Sequence, residues 1–213
     1  SLIPPSAKFI FLGEMHHQPD IEKQILYILA RYKKRHPEKK IMVLTEFVLD
    51  TNVSLLPKEM EARVTSKRAF FNLLMKWRIP VFGLEEPVAR AQATNEILTE
   101  KKGTAFLSST ALAVQTRNRH WIKQIQAMHE TYPDMVFFIY AGLGHTEYNL
   151  SASVAEETFA MDFFVGKRLR FTPFDRAFNG RFSGVGVWYW KDPKYARLSG
   201  FDVSVVLPAG AKK

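Results

Sequence analysis

Near its start the chain places a carboxylate and two imidazoles directly after a short apolar run. Phe9–Leu12 reads FIFL, Gly13 ends the run, and Glu14, His16 and His17 follow. If the backbone stays extended from Glu14 to His16, these two side chains point to the same side, because side chains alternate along a strand. A glutamate and a histidine on one surface can exchange protons as general acid and base, or hold a divalent metal ion. The segment therefore predicts acid–base or metal-binding chemistry at the end of a strand.

Three further apolar runs also end in ionisable side chains. These side chains are Glu46, the pair Glu85 and Glu86, and His145. The carboxyl ends of parallel strands meet at one edge of an open α/β sheet, where such sheets bind ligands. We therefore predict that most of these groups line one pocket. A divalent metal there would be held by Glu14, His16, Glu46 and His145, although no local signature such as HExxH is present.

A long predicted helix, Thr104–Tyr132, carries an apolar stripe that one polar residue interrupts. That residue is Asn118, and Arg117 precedes it. A buried asparagine must be hydrogen-bonded, either to a neighbouring loop or as part of a pocket lining. Arg117 can supply a fixed positive charge to an anionic ligand or pair with a strand-end carboxylate, Glu14 or Glu46.

The elements that position these residues alternate between strands and helices. Besides Thr104–Tyr132, helices are predicted at Pro19–Arg35 and Leu55–Trp77. Strands are predicted at Phe9–Leu12, Lys40–Phe47, Ile79–Leu84 and Asp134–Tyr140, the last followed by a tight turn at Ala141–His145. This alternation is typical of an α/β protein with a mainly parallel sheet flanked by helices.

The chain changes character from Phe159 onwards, where short segments rich in Phe, Arg and Gly begin. Gly184–Trp190 and Phe201–Leu207 read as strands, which predicts a β-rich C-terminal elaboration, either a hairpin or an extension of the sheet. With no repeat and no flexible linker, residues 1–213 are expected to form a single domain.

Composition narrows the function classes. The chain has 213 residues, a formal net charge of +9 and no cysteine, so thiol nucleophiles and thiolate metal sites are excluded. The positive charge favours an anionic small-molecule ligand. Nucleic acid is disfavoured, because the basic clusters Arg31–Lys40 and Lys167–Arg170 show no zinc-finger or RNP-like pattern. No apolar stretch approaches the roughly 18 residues of a membrane span. No signal peptide is recognisable, which is also expected if the sequence starts at a trimmed or mature terminus.

Four segments occur in an order typical of a known family. They are GEMH at Gly13–His16, LTEF ending at Phe47, TRNRHW at Thr116–Trp121 and AGLGHTEYN at Ala141–Asn149. Together they resemble the ChaN-like haem-binding uptake family of the wider Tiki and erythromycin-esterase superfamily. The resemblance covers residues 8–157 as a family-like core and leaves 158–213 as the elaboration. It implies an α/β fold with a pocket at the strand ends, and haem or an iron compound as the ligand.

The family's motifs match this chain position by position. The matching residues are Gly13, Glu14, His16, Glu46, Arg117, Asn118, Gly142, Gly144 and His145. The chain departs from the family at His17, where an acidic or amide residue is usual, and at Glu85–Pro87, which replaces a turn containing asparagine. The family implies a bacterial protein of the periplasm, or one anchored to a membrane outside the cytoplasm like its lipoprotein members. The absence of cysteine is equally compatible with the cytoplasm.

The first functional hypothesis, placed first by the resemblance, is noncovalent binding of haem or an iron compound for uptake. Haem iron accepts histidine or tyrosine ligands. The candidates near the motifs are His16, His17, His145 and Tyr148, with Asn118, Gly142 and Gly144 lining the site.

Two alternatives remain open beside it. In a hydrolase, Glu14 or Glu46 would activate water, His145 would be a second acid–base group, and Arg117 or the glycine-turn amides would stabilise an oxyanion, with or without the metal ion. A serine nucleophile is disfavoured because no GxSxG elbow is present. The third hypothesis is a non-catalytic basic interaction module, which would be favoured if Glu14, Glu46 and His145 pointed to different places. The sequence leaves open whether the protein is an enzyme and whether it is a monomer or a homodimer.

Overall fold

The computed structural model describes residues 3–14, 19–49, 67–85, 106–147, 158–165, 186–189 and 203–207. The helices are α1 (Pro19–Arg35), α2 (Arg68–Lys76), α3 (Phe106–Thr131) and α4 (Leu143–Glu147). The strands are β1 (Phe9–Glu14), β2 (Lys40–Leu49), β3 (Val81–Glu85), β4 (Met135–Gly142), β5 (Thr158–Val165), β6 (Gly186–Tyr189) and β7 (Val203–Leu207).

The described strands form one sheet in the order β3-β2-β4-β1-β5-β7-β6. Every neighbouring pair is parallel except β6 and β7, which are antiparallel. In the β1–β4 pair, Phe9 lies opposite Phe137 and Glu14 lies opposite Gly142, so these two strands end together. The predicted α/β fold with a mainly parallel sheet is confirmed.

The central strands are apolar because helices cover both faces of the sheet. All six residues of β1 are buried. Its alternate residues belong to two apolar clusters: Ile10 and Leu12 pack with α1 and α2 on one face, and Phe9 and Phe11 pack with α3 on the other. We call these the α1/α2 face and the α3 face.

Helix α1 forms where the predicted apolar stripe lies. Ile21, Ile25, Leu29 and Tyr32 are buried along one side of it. Acidic residues in its first turn and basic residues in its last turn complement the helix dipole. On the α3 face, Trp121 and Ile125 supply the fully buried part of the stripe.

The structure differs from the prediction at Ala141–His145, where a tight turn is expected. Strand β4 continues through Gly142, because Ala141 and Gly142 extend the ladder beside Gly13 and Glu14. Helix α4 then begins at Leu143, whose side chain packs against the α3-face cluster. His145 is therefore carried on a helix rather than on a turn.

The predicted helix Leu55–Trp77 is described only in its last part, as α2. It ends where Arg78 takes a positive φ of 57°. Residues 55–66 lie outside the described residues. Among the described helices, none is both long and apolar enough to cross a membrane.

The C-terminal strands extend the same sheet. Strand β5 pairs with β1, β7 pairs with β5, and β6 pairs with β7. The strands expected at Gly184–Trp190 and Phe201–Leu207 correspond to β6 and β7, which extend the sheet. Residues 158–165, at the start of the predicted elaboration, form an interior strand next to β1.

Candidate functional site

Glu46 lies at the centre of a polar network on the α3 face, at the carboxyl edge of the sheet. The residue is 8% exposed. Oε1 accepts a hydrogen bond of 2.6 Å from the backbone N–H of Gly142. Oε2 accepts a bond of 3.0 Å from Nη2 of Arg117 and lies 3.2 Å from Nε2 of His145. The side chain thus joins β2, β4, α3 and α4.

Arg117 connects two strand-end carboxylates. Besides Glu46 it pairs with Glu85, the last residue of β3, through Nη2 and through Nε at 3.3 Å. Its guanidinium lies 5.1 Å from the ring centroid of Trp121, within cation–π range. One cation from α3 therefore compensates carboxylates from two neighbouring strands. Pairing of Arg117 with Glu46 was one of the two roles that the sequence left open for this arginine.

His145 is held by hydrogen-bonding groups at both ring nitrogens. Asn118 donates through Nδ2 to the backbone carbonyl of His145 at 2.9 Å, which turns its Oδ1 towards Nδ1 of the ring at 2.6 Å. Because Oδ1 can only accept, Nδ1 carries the proton. Nε2 faces the Glu46 carboxylate, and the ring stacks on Trp121 at 3.9 Å between centroids. Both ring nitrogens are therefore directed at groups of the protein itself.

Glu14 directs its carboxylate to the α1/α2 face instead. Oε1 lies 2.6 Å from Nζ of Lys67, and Oε2 accepts a hydrogen bond from the hydroxyl of Tyr140. Lys67 also pairs with Glu22 of α1 at 2.9 Å, and Nζ lies 4.8 Å from the ring centroid of Phe47. This second network joins β1, β4, α1 and the residue that precedes α2.

Tyr140 remains a neutral donor to Glu14. Burial in the first place, and then the charge and hydrogen bond of Glu14, raise the pKa of the Tyr140 hydroxyl well above its ordinary value of 10. Above a pH of about 10 the unfolded chain has lost this proton while the folded chain keeps it. The contribution of Tyr140 to the free energy of unfolding is therefore fully present below that pH and declines as the pH rises further.

We expect Tyr140→Phe to reduce the alkaline loss of stability. Above a pH of about 10, the free energy of unfolding should fall more steeply for the wild type than for Tyr140→Phe, by up to about 1.4 kcal/mol per pH unit. Urea denaturation at a series of pH values measures both slopes, with Tyr27→Phe at an exposed tyrosine as the control. Equal slopes for wild type and Tyr140→Phe would contradict the raised pKa.

The predicted site residues fall into three groups. Glu46, Arg117, Asn118, Gly142 and His145 come together on the α3 face, and Glu85 joins them. Glu14 ends at the same edge of the sheet but its described contacts lie on the other face. His16, His17, Glu86 and Tyr148 lie outside the described residues. Of the three residues whose divergence would favour a non-catalytic module, Glu46 and His145 converge and Glu14 is directed elsewhere.

Gly144 has room beside its backbone. A Cβ added there would meet no described atom within 4 Å. The ring of Trp121, stacked on the neighbouring His145, is fully buried, and its indole N–H has no hydrogen-bond partner among the described residues. Open space and a buried donor without an acceptor are features that a bound ligand would complete.

Lys67, Tyr140 and Trp121 belong to these networks but were not singled out from the sequence as site residues. Lys67 gives no signal, because it lies 53 positions from Glu14 and outside any motif. Tyr140 closes an apolar run and reads as core. Trp121 could have been identified, since it belongs to the segment TRNRHW, one turn after Arg117.

The metal-site prediction receives no support from the described residues. Within residues 3–14, 19–49, 67–85 and 106–147, and in the three C-terminal strands, no three His, Asp or Glu side chains are arranged to hold an ion. His16, one of the four predicted ligands, lies outside these ranges.

Comparison with known proteins relates this chain to others through its fold. No protein-family model matches the chain, and no curated protein matches it in sequence. A solved structure of ChaN from Campylobacter jejuni, described as showing cofacial haem binding, superposes with a TM-score of 0.55. The match covers 95% of this chain and 88% of that one, at 11% sequence identity. The two proteins share an α/β fold.

Proposed function

We propose that this protein binds haem noncovalently at the carboxyl edge of the sheet, beside α4. The observation that carries the proposal is the shared fold with a haem-binding protein, which extends over nearly the whole chain. Ligands of open α/β sheets bind at this edge. Among the described residues, the space beside Gly144 and the unsatisfied indole N–H of Trp121 are compatible with a bound group there.

The residues that would ligate the iron follow, in the sequence, two strands that end side by side. Glu14 and Gly142 are register partners at the ends of β1 and β4. His16 and His17 follow Glu14 in the sequence, and Tyr148 follows α4 directly. Histidine and tyrosine both serve as axial ligands of haem iron, which supplies the redox and gas-binding chemistry when haem is bound. We assign the axial ligand to one of these three residues.

His145 has a different role in this proposal. Because its ring nitrogens face Asn118 and Glu46, it positions α4 against β2 and α3 rather than ligating iron. The same geometry disfavours the hydrolase alternative, since a general base needs a nitrogen that can reach its substrate. Glu46 is engaged in the same way, since its carboxylate accepts hydrogen bonds from the backbone N–H of Gly142 and from Arg117.

Titration of the purified protein with haemin tests the proposal. We expect a saturable shift of the Soret band together with quenching of tryptophan fluorescence. His16→Ala, His17→Ala and Tyr148→Phe are measured in parallel, and loss of the shifted band in one of them identifies the axial ligand. A featureless, non-saturating response in the wild type would contradict haem binding.

The position of the haem is tested by filling the space beside α4. Gly144→Leu should weaken haem binding by at least about ten-fold, because the new side chain would overlap the bound group. Ala127→Leu adds the same side chain at an exposed position of α3 and serves as the matched control. Equal affinity in the two variants would place haem elsewhere.

A further inference from the structure

The amino edge of the sheet, opposite the proposed haem site, carries a concentration of exposed basic side chains. They come from the end of α1, the start of β2 and the end of α2. We call them the amino-edge patch: Lys34, Arg35, Lys39, Lys40, Lys76 and Arg78, all exposed.

Tertiary contacts bring these segments together. Nζ of Lys33 donates a 2.8 Å hydrogen bond to the backbone carbonyl of Trp77, which joins the last turn of α1 to the residue after α2. Trp77 also packs against the apolar cluster that contains Leu29 and Tyr32 of α1. Lys40 is the register partner of Met135, so the start of β2 lies beside the start of β4.

The charges of this patch are not compensated as those of the opposite edge are. At the carboxyl edge, Lys67 and Arg117 each pair with two carboxylates. Residues 31–40, 76–80 and 129–135 contain eight Lys and Arg residues against three acidic ones, Glu38, Glu130 and Asp134. Glu38 lies 3.8 Å from His36. The patch therefore presents a net positive potential to solvent.

We propose that the amino-edge patch binds the anionic headgroups of a lipid bilayer. Helices α1, α2 and α3 all end at this edge, so it presents helix C-termini rather than the N-termini that bind phosphate through backbone N–H groups. Attraction must come from side chains, and lysine predominates in the patch. Lysine provides a point charge rather than the bidentate fork by which arginine recognises nucleic acid phosphates. The patch thus suits a diffuse anionic surface.

An exposed aromatic residue at the same edge fits this partner. Tyr132 follows α3, is 43% exposed and donates its backbone N–H to Met128. Tyrosine is enriched where protein meets the headgroup layer, because its ring is apolar and its hydroxyl polar. Strands of six to ten residues separate the two edges by roughly 20–30 Å, so a molecule bound through the patch would present its carboxyl edge to the aqueous phase.

Co-sedimentation with vesicles tests the inference. The full chain is mixed with vesicles of phosphatidylcholine alone or with about a third phosphatidylglycerol, at ionic strengths of about 0.05 M and about 0.5 M. We expect binding to the anionic vesicles at low salt and its loss at high salt. The triple variant Lys34→Gln, Lys39→Gln, Lys76→Gln should bind about a hundred-fold more weakly, since each cation near an anionic surface contributes about five-fold.

A matched variant removes three positive charges elsewhere. Lys23→Gln, Arg119→Gln, Lys123→Gln changes exposed residues of α1 and α3 away from the patch and should alter binding by less than about three-fold. Circular dichroism confirms that both variants fold. Absence of binding to anionic vesicles, or equal losses in the two triple variants, would overturn the inference. So would a single-stranded or duplex oligonucleotide bound more tightly than the vesicles through the same lysines, which would assign the patch to nucleic acid.

Discussion

Replacing Arg117 with methionine should lower the free energy of unfolding by about 3–5 kcal/mol. Its guanidinium is the cation shared by Glu46 and Glu85, whose side chains are 7% and 4% exposed. Without it, two carboxylates would lie close together in a region of low dielectric, where like charges repel strongly. Urea denaturation at neutral pH measures the loss.

Two further variants show whether the loss comes from the contacts of the Arg117 guanidinium. Arg117→Lys keeps the charge but cannot contact both carboxylates through one planar group, so we expect an intermediate loss. Arg119→Met removes the exposed neighbouring arginine, whose described hydrogen bond is to Thr116 within the same helix, and should cost less than about 0.5 kcal/mol. If Arg117→Met and Arg119→Met were equally stable, the network would contribute nothing to the fold.

Replacing Lys67 with methionine should be similarly costly, at about 3 kcal/mol or more. The Nζ atom of Lys67 lies between Glu14 and Glu22, and the Lys67 and Glu14 side chains are 6% and 0% exposed. Lys67 also has a left-handed backbone, with φ 67° and ψ 34°, at the start of α2. A non-glycine residue in this conformation is strained, and the ion pairs offset that strain.

A double-mutant cycle separates the ion pair from other effects. Glu14→Gln, Lys67→Met and the combined variant should give an interaction energy of roughly 2–3 kcal/mol, with the double variant more stable than the sum of single losses predicts. Lys23→Met, at a lysine whose side chain is 77% exposed, is the control and should be nearly neutral. Strict additivity would show that Glu14 and Lys67 do not stabilise each other.

The carboxylates of the two sequence motifs have different structural roles in the two networks. Glu46 fixes the α3 face, where α4 and the space beside Gly144 lie. Glu14 fixes α1 and the start of α2 on the other face. In the proposed function both therefore shape the edge from which the haem-ligating segments begin.

Local sequence patterns were sufficient to predict the fold class. Short apolar runs separated by amphipathic helices indicated a parallel sheet, because strands covered on both faces need apolar residues at every position. The run of β1 and the stripe of α1 could be read directly. The end of β4 could not, because Ala141 and Gly142 continue the strand through pairing with β1, which local sequence does not encode.

The candidate site was predictable in its residue types and in its edge of the sheet. Ionisable strand ends and the polar interruption at Asn118 indicate Glu46, Arg117 and His145 from the sequence alone. The period of two along a strand shows which residues share a face, but not which helix covers that face. Strand order and pairing register settle that question.

What only the tertiary structure decided is the partner of each charge. Glu14 and Glu46 look equivalent in sequence, each a carboxylate near the end of an apolar run. They enter opposite faces, where one meets Lys67 and Tyr140 and the other meets Arg117 and His145. Such pairs join residues 53 to 126 positions apart. Their geometry depends on the packing of the whole sheet, because burying a charge is costly unless the fold brings a partner next to it.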